Sequence, residues 1–345
     1  MNATTNYKAI WIDDELFRAK HWKGGLSGTL LGRDVEINLE FFKVTNKLFE
    51  EVAGRLPGWL ESPPDLIIID QKFTTAGQLP FDVHGSGLAH LLRPLMPRTP
   101  IVCVSAQTID SDDFNMEDLS EYTYLFSIHR LSDPEQQERL FSIAQDFRRL
   151  CFDPKAAVRT LLVDALQPPI ADRAALLSIL PDEFESQYIH GTTPHRIARW
   201  ILNVLMRRPG FLWDPLDAGT FVGMTEEAFL RNRVHFQSAL YAGPFATETR
   251  PLWWSAAITD ALYLVVPAYA HLPPTQAGRN LPGVLAADFS KCKVSGGTPD
   301  VVVYADSSKA QRYAVCRRFS VPLSEEEGAV PGFPPRLKLA NERRG

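Results

Sequence analysis

Short apolar runs alternate with amphipathic stretches over the first 150 residues, and this alternation restricts the folds open to the chain. Five runs read as strands: 9–12, 35–42, 65–69, 101–106 and 122–128. Helix-like stretches follow them: 15–24, 45–56, 86–95, 114–120 and 133–150. Strands that alternate with helices form a parallel sheet covered on both faces, which explains why the strands are continuously apolar. We therefore predict a doubly wound α/β domain.

Five such units fit the flavodoxin-like arrangement, a five-stranded parallel sheet that binds ligands beyond the carboxyl ends of its strands. Four of the runs here end in polar or charged side chains: Asp13, Asp14, Asp70, Ser105, His129 and Arg130. Carboxylates this close repel one another and lose hydration unless a cation compensates. Oxygen ligands suit Mg²⁺, and a carboxylate beside the metal is able to attack a phosphoryl group. The pattern therefore predicts a magnesium site with Asp70 as nucleophile.

The stretches "IWIDDE", "PDLIIID" and "PIVCVSA" resemble, in this order, the receiver domain of bacterial two-component response regulators. The resemblance covers about residues 7–150. It implies that Asp13 and Asp14 are the acidic pair that binds Mg²⁺ and that Asp70 accepts the phosphoryl group. It also implies that Ser105 contacts the phosphoryl group and couples it to loop movement. A histidine kinase or phosphotransfer protein is the implied donor.

The same resemblance makes the backbone carbonyl of Lys72 a metal ligand, and two departures from the family lie nearby. The family ends its fifth strand with Lys-Pro, whereas "SIHRLSDP" places Arg130 at the Lys position, or His129 if the register shifts by one residue. Arg and Lys are not interchangeable. Segment 71–87, between the acceptor and the next helix, is longer than the usual loop. A pseudo-receiver that only docks partners therefore stays open as an alternative.

The second half reads as a separate, mainly helical α+β region. We divide the chain into a receiver-like domain (1–150), a helical junction (151–190) and an output or interaction domain (191–345). Proline residues punctuate the junction. Further expected elements are helices and one β-hairpin: 193–207, 225–240, 251–266 and a hairpin within 300–321.

No familiar output chemistry is recognisable in this second half. It lacks a phosphate-binding P-loop, HExxH, GxSxG and paired CxxC. "GGTPD", with Asp300 before an apolar strand, matches half of a nuclease motif, but the next strand lacks the ExK residues. We expect a signalling protein rather than an enzyme, and keep a receiver-controlled effector enzyme or nuclease as an alternative.

Charge and hydropathy limit the classes of partner and the cellular location that we expect. Residues 1–150 hold 15 Lys and Arg against 22 Asp and Glu, and residues 151–345 hold 21 against 19. Phosphate-backbone binding usually needs a stronger basic excess, so nucleic acid is not favoured. The Trp-rich second half favours contact with another protein or with a second copy of this chain. No apolar run reaches 18 residues and no signal sequence is recognisable, so we expect a cytoplasmic protein without membrane contact.

Overall fold

The structure, a computed structural model, describes residues 4–15, 25–45, 47–73, 84–106, 121–153, 157–186, 193–305, 311–322, 330 and 332–340. The chain divides into two compact units, each made of separate segments. Unit 1 contains residues 1–165, 181–202 and 244–249. Unit 2 contains residues 166–180, 203–243 and 250–345.

Unit 1 is built on a mixed, mostly parallel six-stranded sheet. Its strands are β1 (Thr5–Asp13), β2 (Leu26–Leu30), β3 (Arg33–Lys43), β4 (Leu66–Asp70), β5 (Ile101–Ser105) and β6 (Tyr124–Ser127). Their order across the sheet is β2-β3-β1-β4-β5-β6. All neighbouring pairs from β3 to β6 are parallel, which brings the carboxyl ends of β1, β4 and β5 to one edge.

The prediction of a sheet with five parallel strands is incomplete. The sheet has a sixth strand, β2, which runs antiparallel to β3. Strands β2 and β3 form a hairpin around Leu31 and Gly32, whose φ angles are 51° and 72°. Positive φ at both central residues is the requirement of a type I′ turn. Asn or Asp usually precedes Gly in such turns, so the leucine at position 31 conceals the hairpin in the sequence.

Helices cover the sheet close to the expected positions. Those packed in unit 1 are α1 (Leu48–Glu61), α2 (Gly85–Leu95), α3 (Pro134–Asp146), α4 (Val158–Leu166), α6 (Glu183–Ser186) and α7 (Thr193–Trp200). The stretches 15–24 and 114–120, expected to be helical, fall almost entirely outside the described residues. Leu88 and Leu92 share one face of α2 and are buried against the sheet, where each contributes about 1.5–3 kcal/mol.

The short segment 244–249 packs within unit 1 although it is distant in sequence. The buried carboxylate of Glu138, on α3, accepts hydrogen bonds from the backbone N–H of Thr249 at 2.8 Å and from its hydroxyl at 2.5 Å. Asp146, at the end of the same helix, accepts a hydrogen bond from the backbone N–H of Phe245 at 2.8 Å. Helix α3 thus binds this segment through buried carboxylates.

Unit 2 combines helices with two small sheets. Its strands are β7 (Leu212–Trp213), β8 (Trp253–Trp254), β9 (Val301–Tyr304), β10 (Arg312–Val315), β11 (Ser320–Pro322) and β12 (Leu337–Leu339). Its helices are α5 (Ile170–Ile179), α8 (Pro215–Phe221), α9 (Glu226–Arg231), α10 (Ser255–Val265) and α11 (Pro274–Ala277). Strands β9 and β10 pair antiparallel, which confirms the expected hairpin. Strand β12 pairs with both β9 and β11, giving the order β10-β9-β12-β11.

The helices in the second half are shorter than the sequence predicts. Helix α7 gives way to a π-helical turn, Ile201–Leu205, and α9 is followed by a 3₁₀ segment, Arg233–Ala239. Trp253 and Trp254 are buried in β8 rather than presented as a binding face. Among the described residues, every helix is too short or too polar to cross a membrane.

Candidate functional site

Three carboxylates gather at the edge of the unit 1 sheet. Asp13 is the last residue of β1 and Asp14 follows it, and Asp70 ends the neighbouring strand β4. One oxygen from each carboxylate lies within 4.8 Å of the others. Asp13 is only 1% exposed and Asp14 only 4%. These three side chains are close enough together to hold one metal ion, as the parallel strand ends predicted.

Hydrogen bonds from nearby N–H groups orient the carboxylates. The Trp11 indole donates to Asp13 Oδ2 at 3.3 Å, and the backbone N–H of Glu15 donates to Asp13 Oδ1 at 2.7 Å. The backbone N–H of Gln71 donates to Asp70 Oδ1 at 2.9 Å. Bonds of this kind favour the ionised form of a carboxyl group. They therefore suit an anionic site that receives a cation.

Glycine is required where helix α2 meets the end of β4. A Cβ at Gly85 would lie 2.1 Å from the backbone oxygen of Asp70 and 2.8 Å from the Tyr122 hydroxyl. The Gly85 N–H also donates to the carbonyl of Gln71 at 2.9 Å. Because no side chain fits here, the first turn of α2 can approach the acidic site closely.

Ser105 ends β5, beside β4, and its hydroxyl is already hydrogen-bonded. Its Oγ donates to Gln71 Oε1 at 2.8 Å, and both side chains are buried. The backbone N–H of Gln71 reaches the carbonyl of Val104 at 3.2 Å. Gln71 thus links the ends of β4 and β5. The sequence reasoning missed this residue, although its position directly after Asp70 marks it as a neighbour of the site.

The remaining predicted site residues lie at the surface. Lys72 and His129 are exposed. Arg130 lies in a 3₁₀ turn after β6, where its Nε donates to Asp133 at 2.9 Å and its guanidinium approaches Glu135 at 3.9 Å. The pKa of Arg130 is raised, mainly because its side chain donates a hydrogen bond to Asp133. The ion pairs formed by Arg130 thus connect it to the start of α3.

Comparison with known proteins adds no functional assignment. No protein-family model matches the chain, and no curated protein matches it significantly.

Proposed function

We propose that residues 1–150 form a flavodoxin-like receiver in which Asp70 accepts a phosphoryl group. Asp13, Asp14, Asp70 and the backbone carbonyl of Lys72 are the proposed ligands of Mg²⁺. The observation that carries the proposal is the convergence of the three carboxylates within 4.8 Å at the carboxyl ends of adjacent parallel strands. A set of oxygen ligands, two of them on buried side chains, fits a hard divalent cation.

The proposed reaction is a phosphoryl transfer to a carboxylate. An Asp70 oxygen attacks phosphorus in the donor, the bond from phosphorus to the donor's leaving atom breaks, and an aspartyl phosphate forms. Mg²⁺ held by these ligands would supply positive charge to the transferring oxygens. Ser105, one strand away, exchanges its bond to Gln71 for one to the new phosphoryl group. This exchange gives the site two discrete arrangements, as a switch requires.

The switch is proposed to act on protein contacts made by the second half. A histidine kinase or phosphotransfer protein supplies the phosphoryl group, and the output is a partner protein or self-association. The near balance of charge in residues 151–345, with 21 basic and 19 acidic residues, supports this output over nucleic acid. A cytoplasmic location fits such a donor.

A pseudo-receiver is the second candidate, and Arg130 favours it. The family places a Lys at this position to meet the phosphoryl group, whereas the guanidinium of Arg130 pairs with Asp133 and Glu135. Under this alternative the acidic site holds a cation for stability only, and unit 1 docks partners without being phosphorylated.

Metal binding is tested by unfolding the full chain with and without MgCl₂. A ligand that binds only the folded state adds about 2.7 kcal/mol at roughly one hundred times its Kd. We expect Mg²⁺ to stabilise the parent chain and to stabilise D14N much less. D182N is the matched control, because the Asp182 side chain is 94% exposed. Equal stabilisation of the parent and D14N would show that the metal site is wrong.

Phosphorylation is tested with acetyl phosphate and Mg²⁺, followed by intact-mass measurement. The parent chain and D182N should gain one phosphoryl unit and lose it in hydroxylamine, whereas D70N should gain none. Light scattering on the same samples reports whether modification changes self-association. An unmodified parent chain, under conditions that modify an ordinary receiver, would establish the pseudo-receiver instead.

A further inference from the structure

Two cysteines that are 24 residues apart in the sequence come together in unit 2. The backbone N–H of Cys316, directly after β10, donates to the Sγ of Cys292 at 3.2 Å. Lys293, next to Cys292, donates its backbone N–H to the carbonyl of Ala314 in β10 at 3.0 Å. Cys316 also packs against the small apolar cluster that contains Cys292. The segments that carry the two thiols therefore lie side by side.

Ser295 contacts both sulfur atoms. Its backbone N–H donates to the Sγ of Cys292 at 3.4 Å, and its hydroxyl oxygen lies 3.5 Å from the Sγ of Cys316. The Gly296 N–H donates to the carbonyl of Cys292 at 2.9 Å, which closes the turn that holds Ser295 in place. A disulfide needs Cα atoms about 4.4–6.8 Å apart. Adjacent segments whose sulfurs share a neighbour are able to meet this requirement by rotation of the side chains.

The two thiols differ in exposure and in acidity. Cys316 is partly exposed, whereas Cys292 is only 3% exposed. Burial favours the neutral thiol of Cys292, but hydrogen bonds from the side chain and backbone of Ser295, and from the backbone of Cys316 and Val294, outweigh burial and lower its pKa to about 6. Cys292 is therefore largely thiolate at neutral pH. Cys316 is the thiol that a reagent in solution reaches first.

A disulfide suits this pair better than a metal ion does. Structural zinc sites take four ligands, mostly Cys and His. Within the part of the chain that the structure describes, the acidic cluster of unit 1 is the one group of three or more His, Cys, Asp or Glu side chains close enough to share a metal. The two thiols thus have no third ligand of these kinds among the described residues.

We propose that Cys292 and Cys316 form a reversible disulfide by exchange with a small disulfide such as oxidised glutathione. The Cys316 thiolate first attacks one sulfur of the small disulfide, whose S–S bond breaks and releases one small thiolate. The Cys292 thiolate then attacks the Cys316 sulfur of this mixed disulfide and expels the second small thiolate. The released thiolates take up the protons that the cysteines lose, so two protein thiols are oxidised and one small disulfide is reduced.

Basic residues next to both cysteines fit an anionic reagent. Lys291 and Lys293 flank Cys292, and Arg317 follows Cys316. Oxidised glutathione carries net negative charge, so positive charge here favours its approach. In a reducing compartment such a disulfide is transient and senses the redox state. The bond joins the turn at Cys292 to the end of β10.

Incubation of the full chain with oxidised glutathione, followed by alkylation and tryptic peptide mapping, tests the proposal. Trypsin cuts after Lys291, Lys293, Arg312 and Arg317, so the disulfide yields one linked peptide that joins CK to YAVCR. We expect this peptide in the parent chain and its loss in dithiothreitol. It should form at least about tenfold faster in the folded chain than in the chain unfolded by urea, because folding holds the thiols together.

Variants separate the two steps. C292S should stop at a mixed disulfide of glutathione with Cys316. In C316S the remaining thiol is buried, so it should take up glutathione at least about tenfold more slowly than Cys316 does in C292S. C151S is the matched control, because Cys151 is also partly exposed, and it should form the linked peptide as the parent does. Circular dichroism confirms that each variant is folded.

Three results would overturn the proposal. The first is glutathione bound to Cys316 of the parent chain without the linked peptide, since Cys292 would then not reach the mixed disulfide. The second is formation of the linked peptide at equal rates in the folded and unfolded chains, since the fold would then not bring the thiols together. The third is binding of one Zn²⁺ that protects both thiols from alkylation, which would make them metal ligands.

Discussion

Units 1 and 2 each hold a cluster of carboxylates, but they balance the charge of that cluster differently. At the edge of the unit 1 sheet, three carboxylates come together and receive hydrogen bonds from indole and backbone N–H groups. In unit 2, Asp214 and Asp217 share the guanidinium of Arg312. The first arrangement suits an incoming cation. The second supplies its own cation.

The largest expected effect tests how unit 1 builds its site. G85A places a methyl group 2.1 Å from the backbone oxygen of Asp70, in a region where backbone atoms leave no room. We expect a loss of about 3 kcal/mol in the free energy of unfolding, at the upper end for overpacking. Mg²⁺ should also stabilise this variant less, because helix α2 must move away from the acidic site. Urea denaturation with and without MgCl₂ measures both effects.

G87A is the matched control on the same helix. Gly87 is exposed, and a Cβ there would meet no atom within 4 Å. Alanine is the better helix former, so this variant should gain up to about 1 kcal/mol. If G85A and G87A had the same effects, neither the stability of the protein nor its stabilisation by Mg²⁺ would depend on the close approach of α2 to Asp70.

The acidic site was predictable because it depends on short-range signals. Asp13 and Asp70 each follow an apolar run directly, and Asp14 is next to Asp13. Parallel strands present their carboxyl ends at one edge. Gln71 was missed because a glutamine after a strand has no special backbone preference. Strand β2 was missed because Leu31 occupies a turn position where Asn or Asp is usual, so the sequence shows no hairpin pattern there.

The ion pairs of Arg312 with Asp214 and Asp217 in unit 2 could not be found in the same way. Arg312 is 98 residues from Asp214 and 95 from Asp217. No periodicity connects residues so far apart, and only the packing of α8 against β9 and β10 brings them together. The sequence "WDP" does predict that Asp214 is a helix N-cap, because a proline follows it at the first helical position. It does not reveal the arginine that this aspartate also binds.

Removing the internal cation of unit 2 has the next largest expected effect. R312M leaves Asp214 and Asp217 close together and partly buried without their guanidinium, which should cost about 2 kcal/mol. R231M is the matched control, because Arg231 is 59% exposed and pairs with the carboxylate of Asp288 at the surface. Its loss should stay below about 1 kcal/mol. Equal losses in urea denaturation would mean that the two carboxylates do not depend on Arg312.

A smaller effect is expected for Glu138, a buried carboxylate whose hydrogen-bond donors among the described residues are neutral groups. Glu138 Oε1 accepts a hydrogen bond from the backbone N–H of Glu248 at 2.6 Å, and its Oε2 accepts from the backbone N–H and hydroxyl of Thr249. In E138Q an amide NH₂ must face one of these donors, so we expect a loss of about 1.5 kcal/mol. E135Q, at a more exposed position on α3, should change stability by less than about 0.5 kcal/mol. Hydrogen exchange should increase in segment 244–249 of E138Q alone, and unchanged protection there would contradict the assigned contact.

The smallest expected effect concerns His195, a base that unit 1 buries. Its Nδ1 lies 3.2 Å from the Thr123 hydroxyl, and its ring centre lies 4.8 Å from that of Phe147. Burial, reinforced by the charges of Arg93 and Arg199, lowers the pKa of His195 to about 3. The imidazole therefore stays neutral in the folded protein at every pH where the acidic site would work.

This lowered pKa gives the stability of unit 1 a defined pH dependence. In the unfolded chain a histidine has a pKa of about 6.5. Below that pH the unfolded state takes up a proton that the folded state does not, so stability is complete above about pH 6.5 and falls as the pH decreases. Between pH 7 and 5.5 the loss from this group should be about 1 kcal/mol, before most carboxylates begin to titrate.

The variant H195Q keeps a polar side chain near Thr123 but cannot titrate. Whatever its stability at pH 7, its free energy of unfolding should decline less between pH 7 and 5.5 than that of the parent chain. H129Q, which replaces an exposed histidine of the same unit, is the matched control. If H195Q instead declined in parallel with the parent, the folded state would accommodate a protonated His195, and unit 1 would not exclude positive charge from this part of its interior.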